Sequence, residues 1–201
     1  MGEQIRRSPR GRAIALEDAP RRQRQPQEKL ARLIASATTI FGNQGYARAR
    51  VQDVCSSAGV SVGTFYDHFE NKADLMLHVA EQAAENLPFP PVAGPPELER
   101  HIASLETAPT AGVARAWSEA IRTEPALRQA NARMRGITHA RYAQWVRDAR
   151  GRRRSHPVLD DELTASAVMA LLREAVTGTY EPSADRVRDM AKAIWFLLYA
   201  E

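Results

Sequence analysis

The sequence predicts an all-α protein, with a small three-helix N-terminal domain and a larger helical C-terminal domain. Three observations predict it. Only 6% of the 201 residues are aromatic, while runs rich in Ala, Leu, Glu, Gln and Arg recur along the chain, a mix of good helix formers. Apolar residues return at steps of three and four, and no alternating strand pattern extends beyond a few residues. Gly and Pro cluster at the ends of those periodic runs, where helices start and stop.

The elements follow in order. From Pro26 to Gly42, the residues Leu30, Leu33, Ile34, Ala37, Ile40 and Phe41 describe one helix face, and Gly42 and Gly45 close that helix. Val51, Val54, Cys55 and Ala58 mark a short second helix ended by Gly59. Ser61 is a good N-cap for a third helix running to about Asp67, because its hydroxyl can accept a backbone N–H. Asn71 caps a fourth, with Asp74 in capping-box position and Leu75, Met76, Val79 and Ala83 on its buried face. The breakers from Pro88 to Pro96 place a junction between a domain over 27–85 and another over 86–201. Beyond it, helices are expected over 97–106 and 111–122, from Thr123 to the basic loop Arg150 to Arg154, over about 160–178, and from Ser183 to about Ala200.

Charge divides the chain unevenly. Residues 1–26 hold seven arginines against three acids, which accounts for the whole net charge of +4. So basic and weakly apolar a segment is expected to be a flexible arm, either a solubilising tail or a supplement to polyanion binding from the minor groove. No apolar run is long enough to span a bilayer, and nothing resembles a secretory signal. The single cysteine, Cys55, suits a reducing cytoplasm and reads as a small buried hydrophobe. His78, His101, His139 and His156 are scattered without ligand spacing, so no metal or other cofactor is expected. No nucleophile, phosphate-loop or nucleotide fingerprint points to an enzyme.

Two short helices joined by a Gly-containing turn form a helix-turn-helix unit. The second must project into the major groove of DNA while the first braces it. Gly59 permits the sharp turn, and the small Gly63 lets backbone approach the duplex. Thr64, Tyr66, His68 and Lys72 can donate hydrogen bonds to phosphates.

The run Phe41-Gly42-Asn43-Gln44-Gly45-Tyr46, then Val51-Gln52-Asp53-Val54, Ala58 through Phe69, Asn71-Lys72 and Leu75 resembles the N-terminal domain of the TetR (tetracycline-repressor) family. The resemblance implies a homodimeric transcription factor, usually a repressor, whose C-terminal domain binds a small effector. It implies phosphate contacts at Ser61, Thr64, Tyr66, His68 and Lys72, base-facing positions at Val62 and Gly63, and core roles for Phe65 and Phe69. Gln52 occupies a position from which some members reach bases. The chain departs from the family just before the second helix, where small hydroxyl residues are usual and Ala49 and Arg50 stand instead. Arg50 trades a cap of about 1 kcal/mol for a charged, salt-sensitive phosphate contact.

The expected partners are a pseudo-palindromic double-stranded operator, a small apolar or amphipathic effector, and a second copy of the chain paired through the last two helices in a four-helix interface. The helix over 97–106 is the expected transmission element. Trp117, Met134, Tyr142, Trp145 and Met169 are the candidates for lining an effector cavity, because aromatic and Met side chains suit apolar pockets, although any one of them taken singly reads first as core. An activator, or a regulator without an effector and with a packed C-terminal core, would share every DNA-facing residue.

Overall fold

The computed structural model describes residues 19–87, 89, 93–107, 109–152, 159–177 and 183–200. These residues form nine helices and no strand: α1 (Ala19–Gln44), α2 (Val51–Ala58), α3 (Val62–Tyr66), α4 (Lys72–Glu85), α5 (Pro95–Thr107), α6 (Pro109–Thr123), α7 (Pro125–Gly151), α8 (Asp161–Thr177) and α9 (Ala184–Tyr199). Among the described residues, no helix is long and apolar enough to cross a membrane.

Local sequence explains most of the boundaries. Ser61, Asn71 and Ser183 cap α3, α4 and α9 by accepting from the backbone N–H groups of Thr64, Asp74 and Arg186. At α4 the reciprocal arm of the capping box lands one residue early, since Asp74 accepts from Glu70 N at 3.1 Å. Asp160 opens α8 by accepting from Leu163 N at 2.7 Å.

Three boundaries differ from the sequence expectation. Helix α1 begins at Ala19, inside the expected arm, with Pro26 within it. Arg21 to Gln25 are strong helix formers, and an established helix extends through such residues at little cost; residues 1–18 of the arm lie outside the described residues. Helix α1 also runs through Gly42 to Gln44, and only Gly45, at φ +78°, takes the left-handed conformation that ends it. Arg150 does not open a solvated basic loop. It lies in the last turn of α7 with its side chain only 8% exposed, while Arg153 and Arg154 fall outside the described residues.

The helices enclose two cores, and these do not follow the division at residues 85 and 86. The first joins Leu33, Phe41, Val54, Phe65, Leu75 and Met76 of α1–α4, and Phe69 of the α3–α4 loop, to Val113, Ala116 and Ala120 of α6 and to Leu127 and Met134 of α7. The second gathers α5, the later part of α7, α8 and α9 around Ile102, Val146, Val168, Ile194 and Leu198. Cys55 is buried, and burial pushes its thiol pKa up, as a structural cysteine requires.

Candidate nucleic-acid interface

Helix α2 buries Val54, Cys55 and Ala58 on one face. Gly59, at φ +65°, then turns the chain, and Val60 N and Gly59 N close on the carbonyls of Cys55 and Ser56. A side chain at Gly59 would be strained by that conformation. Ser61 restarts the helix, its Oγ accepting from Thr64 N at 3.1 Å and meeting Thr64 Oγ1 at 3.0 Å. Phe65 and Phe69 are buried with their rings 5.5 Å apart, which anchors α3 to the core through one face.

The opposite face of α3 is open. Ser61, Val62 and Gly63 are exposed, Thr64 and His68 are half-buried, and Tyr66 is 61% exposed. Tyr66 is thus mostly outside the core, and its ring meets that of buried Phe65 edge-on, with centroids 5.1 Å apart. A Cβ at Gly63 would meet only Ser61 Oγ, at 3.6 Å, which is ordinary contact. Nothing among the described residues requires glycine at 63. Gln52 and Arg50 are exposed on the neighbouring α2. Arg50 is the N-cap residue in extended conformation, and its side chain makes no capping hydrogen bond.

Lys72 is placed differently from the other candidates. Its Nζ donates to Tyr46 O at 2.9 Å and Ala49 O at 3.2 Å, and it lies 4.3 Å from the centre of the Tyr46 ring. The ammonium ties the α1–α2 loop to the start of α4, and these two carbonyls take two of its three N–H donors. The sequence reading passed over an exposed cation next to Arg50. Arg48 stands beside buried Ala49 in the stretch Ala47-Arg48-Ala49-Arg50, where the two arginines alternate with a core alanine. That alternation was the available signal.

The same loop is gripped from the C-terminal side. Tyr46 N donates to Glu119 Oε2 at 2.8 Å, and Tyr46 Oη donates to Glu124 Oε1 at 2.9 Å. Burial, and then the Glu124 bond, push the Tyr46 hydroxyl well above its usual pKa, so it remains a donor. Helices α1 and α6 meet at glycines, because a Cβ on Gly112 would lie 2.4 Å from Gly42 O and 2.6 Å from Gly42 Cα.

Comparison with known proteins places this arrangement. Residues 33–79 match the family model for bacterial regulatory proteins of the tetR family. The N-terminal domain is a TetR-family domain. All nine DNA-facing candidates, from Arg50 to Lys72, fall inside that match. The HTH-type transcriptional regulator TtgR of Pseudomonas putida is 39% identical over 65 residues, which is 32% of this chain and 31% of that protein. The chain aligns over 19% to 31% of the length of the first curated relatives it matches, so this likeness concerns the TetR-family domain. The fold likeness extends further. A TetR-family transcriptional regulator from Rhodococcus sp. superposes with a TM-score of 0.69 at 21% identity, covering 86% of this chain and 99% of that one. FadR from Bacillus subtilis, solved in complex with stearoyl-CoA, gives 0.58 at 17% identity, covering 85% and 98%.

Behind the TetR-family domain, the structure separates the five pocket candidates. Trp117 and Met134 pack in the first core, and Trp117 Nε1 donates to Asn131 Oδ1 at 3.1 Å. Met169 packs against the second core and is not among the residues around the cavity there. Only Tyr142 and Trp145 come together, around a cavity of about 10 Å³ that is completed by Phe89, Leu98, His101, Ile102, Leu172 and Ile194. That volume is about what one water needs. Among the described residues, no group of three or more His, Cys, Asp or Glu is placed to hold a metal ion.

Proposed function

We propose that the protein is a transcriptional repressor that binds a pseudo-palindromic operator as a homodimer and is released by a small apolar or amphipathic effector. The observation that carries this reading is the open face of α3. Its hydroxyls, imidazole and one side-chain-free position are presented outward, while Phe65 and Phe69 fix the helix from behind. Ser61, Thr64, Tyr66 and His68 set register on phosphates, and Arg48 and Arg50 add charge beside them. Val62 offers only an apolar contact, suited to a thymine methyl. Base reading then rests on Gln52 and the arginines together with DNA shape.

Dimerisation has its own support. Leu163 on α8 is 52% exposed and Phe196 on α9 is 50% exposed, unusual for large apolar side chains of the last two helices. A second copy pairing α8 and α9 would cover both and would set two α3 helices at a fixed spacing.

The test begins with a duplex selected by the wild-type protein from a randomised library. Tyr66→Phe is expected to weaken binding to it about tenfold, the loss of one charge-assisted hydrogen bond, without changing the thermal transition. Arg50→Ala should lower the slope of log affinity against log salt by about one counterion. Wild-type affinity indifferent to salt, or a Tyr66→Phe curve superimposed on the wild-type one, would remove α3 from the interface. A reporter gene placed behind the selected duplex then distinguishes repression from activation.

A further inference from the structure

Arg48 and Arg50 stand outside the helices, in the loop between α1 and α2. Both are exposed, and neither has a hydrogen bond or ion pair among the described residues. Loop backbone ordinarily has to be ordered when a ligand binds, at a cost that lowers affinity. Here it is already fixed, by side chains from far along the chain.

The fixed point is Tyr46. Its N–H donates to Glu119 of α6, its carbonyl accepts from Lys72 of α4, and its hydroxyl donates to Glu124 at the α6–α7 junction. The Lys72 ammonium also lies against its ring, and the Phe41 ring packs 5.9 Å away, centre to centre. Both main-chain groups and the hydroxyl are thus bonded, and the residue is buried. The preceding turn is held by the same carboxylate, since a Cβ on left-handed Gly45 would lie 2.9 Å from Glu119 Oε2. Glu124 occupies the N-cap position of α7 and makes no capping bond there. Its carboxylate serves a residue 78 positions back instead of its own helix.

Lys72 closes the other end of the loop. The Nζ that bonds Tyr46 O also bonds Ala49 O, and Ala49 is buried between the two exposed arginines. Carbonyls on either side of Arg48 are therefore tied to one atom. At the far end, Arg50 O accepts the first bonds of α2, from Asp53 N at 3.1 Å and Val54 N at 3.2 Å. The ammonium faces protein carbonyls and a ring, where the family resemblance implied a phosphate.

We propose that Tyr46, Lys72, Glu119 and Glu124 are positioning residues for DNA binding. They hold the α1–α2 loop in the conformation that presents Arg48 and Arg50 to phosphates, and these two arginines supply the phosphate charge expected of Lys72. Glu119 and Glu124 act as hydrogen-bond acceptors, since their charge by itself opposes a polyanion. This rests on the DNA-binding reading above and adds what fixes the loop.

The test measures affinity of the full chain for the selected duplex against salt, with thermal denaturation of every variant. Each substitution is made in the natural chain and again in an Arg48→Ala/Arg50→Ala background. That background should itself lower the slope of log affinity against log salt by about two counterions. In the natural chain, Tyr46→Phe should weaken binding about fivefold, and Lys72→Met, Glu119→Met and Glu124→Met about tenfold each, all with a lower salt slope. In the background without the arginines, read at low salt, the same substitutions should change affinity by less than about twofold. Glu119→Gln and Glu124→Gln keep an acceptor and should bind at least as tightly as wild type. Tyr46→Phe removes one hydroxyl and keeps the ring, so it reports on the clamp even where a methionine variant fails to fold. Equal losses in both backgrounds would return Lys72 to the phosphates and overturn the clamp alone. So would glutamine variants that lose as much as the methionine ones, or an Arg48→Ala/Arg50→Ala protein with the wild-type salt slope. A wild-type protein that binds no duplex would remove the DNA-binding reading itself, and the clamp with it.

Discussion

Arg150 shows how far a single side chain can depart from its neighbours. Its Nε donates to Leu198 O at 3.1 Å, its Nη2 donates to Leu197 O and Thr164 Oγ1 at 2.9 Å each, and its Nη1 pairs with Asp161. One guanidinium thus satisfies carbonyls at the C-terminal end of α9 and pins α7 to α8. Arg150→Met should destabilise the fold by about 3 kcal/mol in urea unfolding, because it leaves Thr164, the α9 carbonyls and Asp161 without their shared donor. Lysine should rescue little, since a point charge cannot reproduce a planar fork. A loss below about 1 kcal/mol for the methionine variant would mean that water replaces the fork.

Helices α1 and α6 approach so closely because two glycines face each other. At Gly112 an added Cβ would collide with the backbone of Gly42, which cannot rotate away as a side chain can. Gly112→Ala should therefore cost about 1–3 kcal/mol and separate the DNA-binding domain from α6. Gly136 lies within α7 with nothing within 4 Å of an added Cβ, so Gly136→Ala should stabilise by about 0.5–1 kcal/mol. Thermal denaturation of the two variants side by side separates close packing from helix propensity. At α2 the missing cap makes a second contrast. Arg50→Thr should raise stability by about 1 kcal/mol while weakening DNA binding at low salt, and a variant that gains in both would argue that Arg50 touches no phosphate.

The molecule as a whole is organised by its two cores and by what α8 and α9 leave uncovered. The first core carries α6 and the start of α7 into contact with α1–α4, so the helix-turn-helix is braced by residues far along the chain. The Tyr46 bonds to Glu119 and Glu124 and the Arg141 bonds to the end of α4 are further ties between the two regions. The exposed Leu163 and Phe196 make the assembly testable. Leu163→Arg with Phe196→Arg should sediment as a monomer, keep its helical circular dichroism and bind a two-half-site duplex at least about tenfold more weakly. A double variant that still sediments as a dimer would move the interface elsewhere.

Periodicity, caps and turn glycines were enough, read from the sequence, to establish the all-α class, the helix order and the helix-turn-helix, because each depends on neighbours within a few residues. Ser61, Asn71, Gly59 and Ser183 all act through bonds to residues one to four positions away. The open face of α3 was legible for the same reason, since Phe65 and Phe69 declare the buried side and leave Tyr66 on the other. Contacts between residues 14 to 78 positions apart were not legible, as no local pattern records them. They assign Arg150 to the core, put Lys72 beneath the α1–α2 loop, divide Trp117 and Met134 from Tyr142 and Trp145, and lay Gly112 against Gly42. A helix shows its apolar stripe from sequence alone, but which neighbour fills that stripe depends on close packing of the whole chain, and only the tertiary structure decides it.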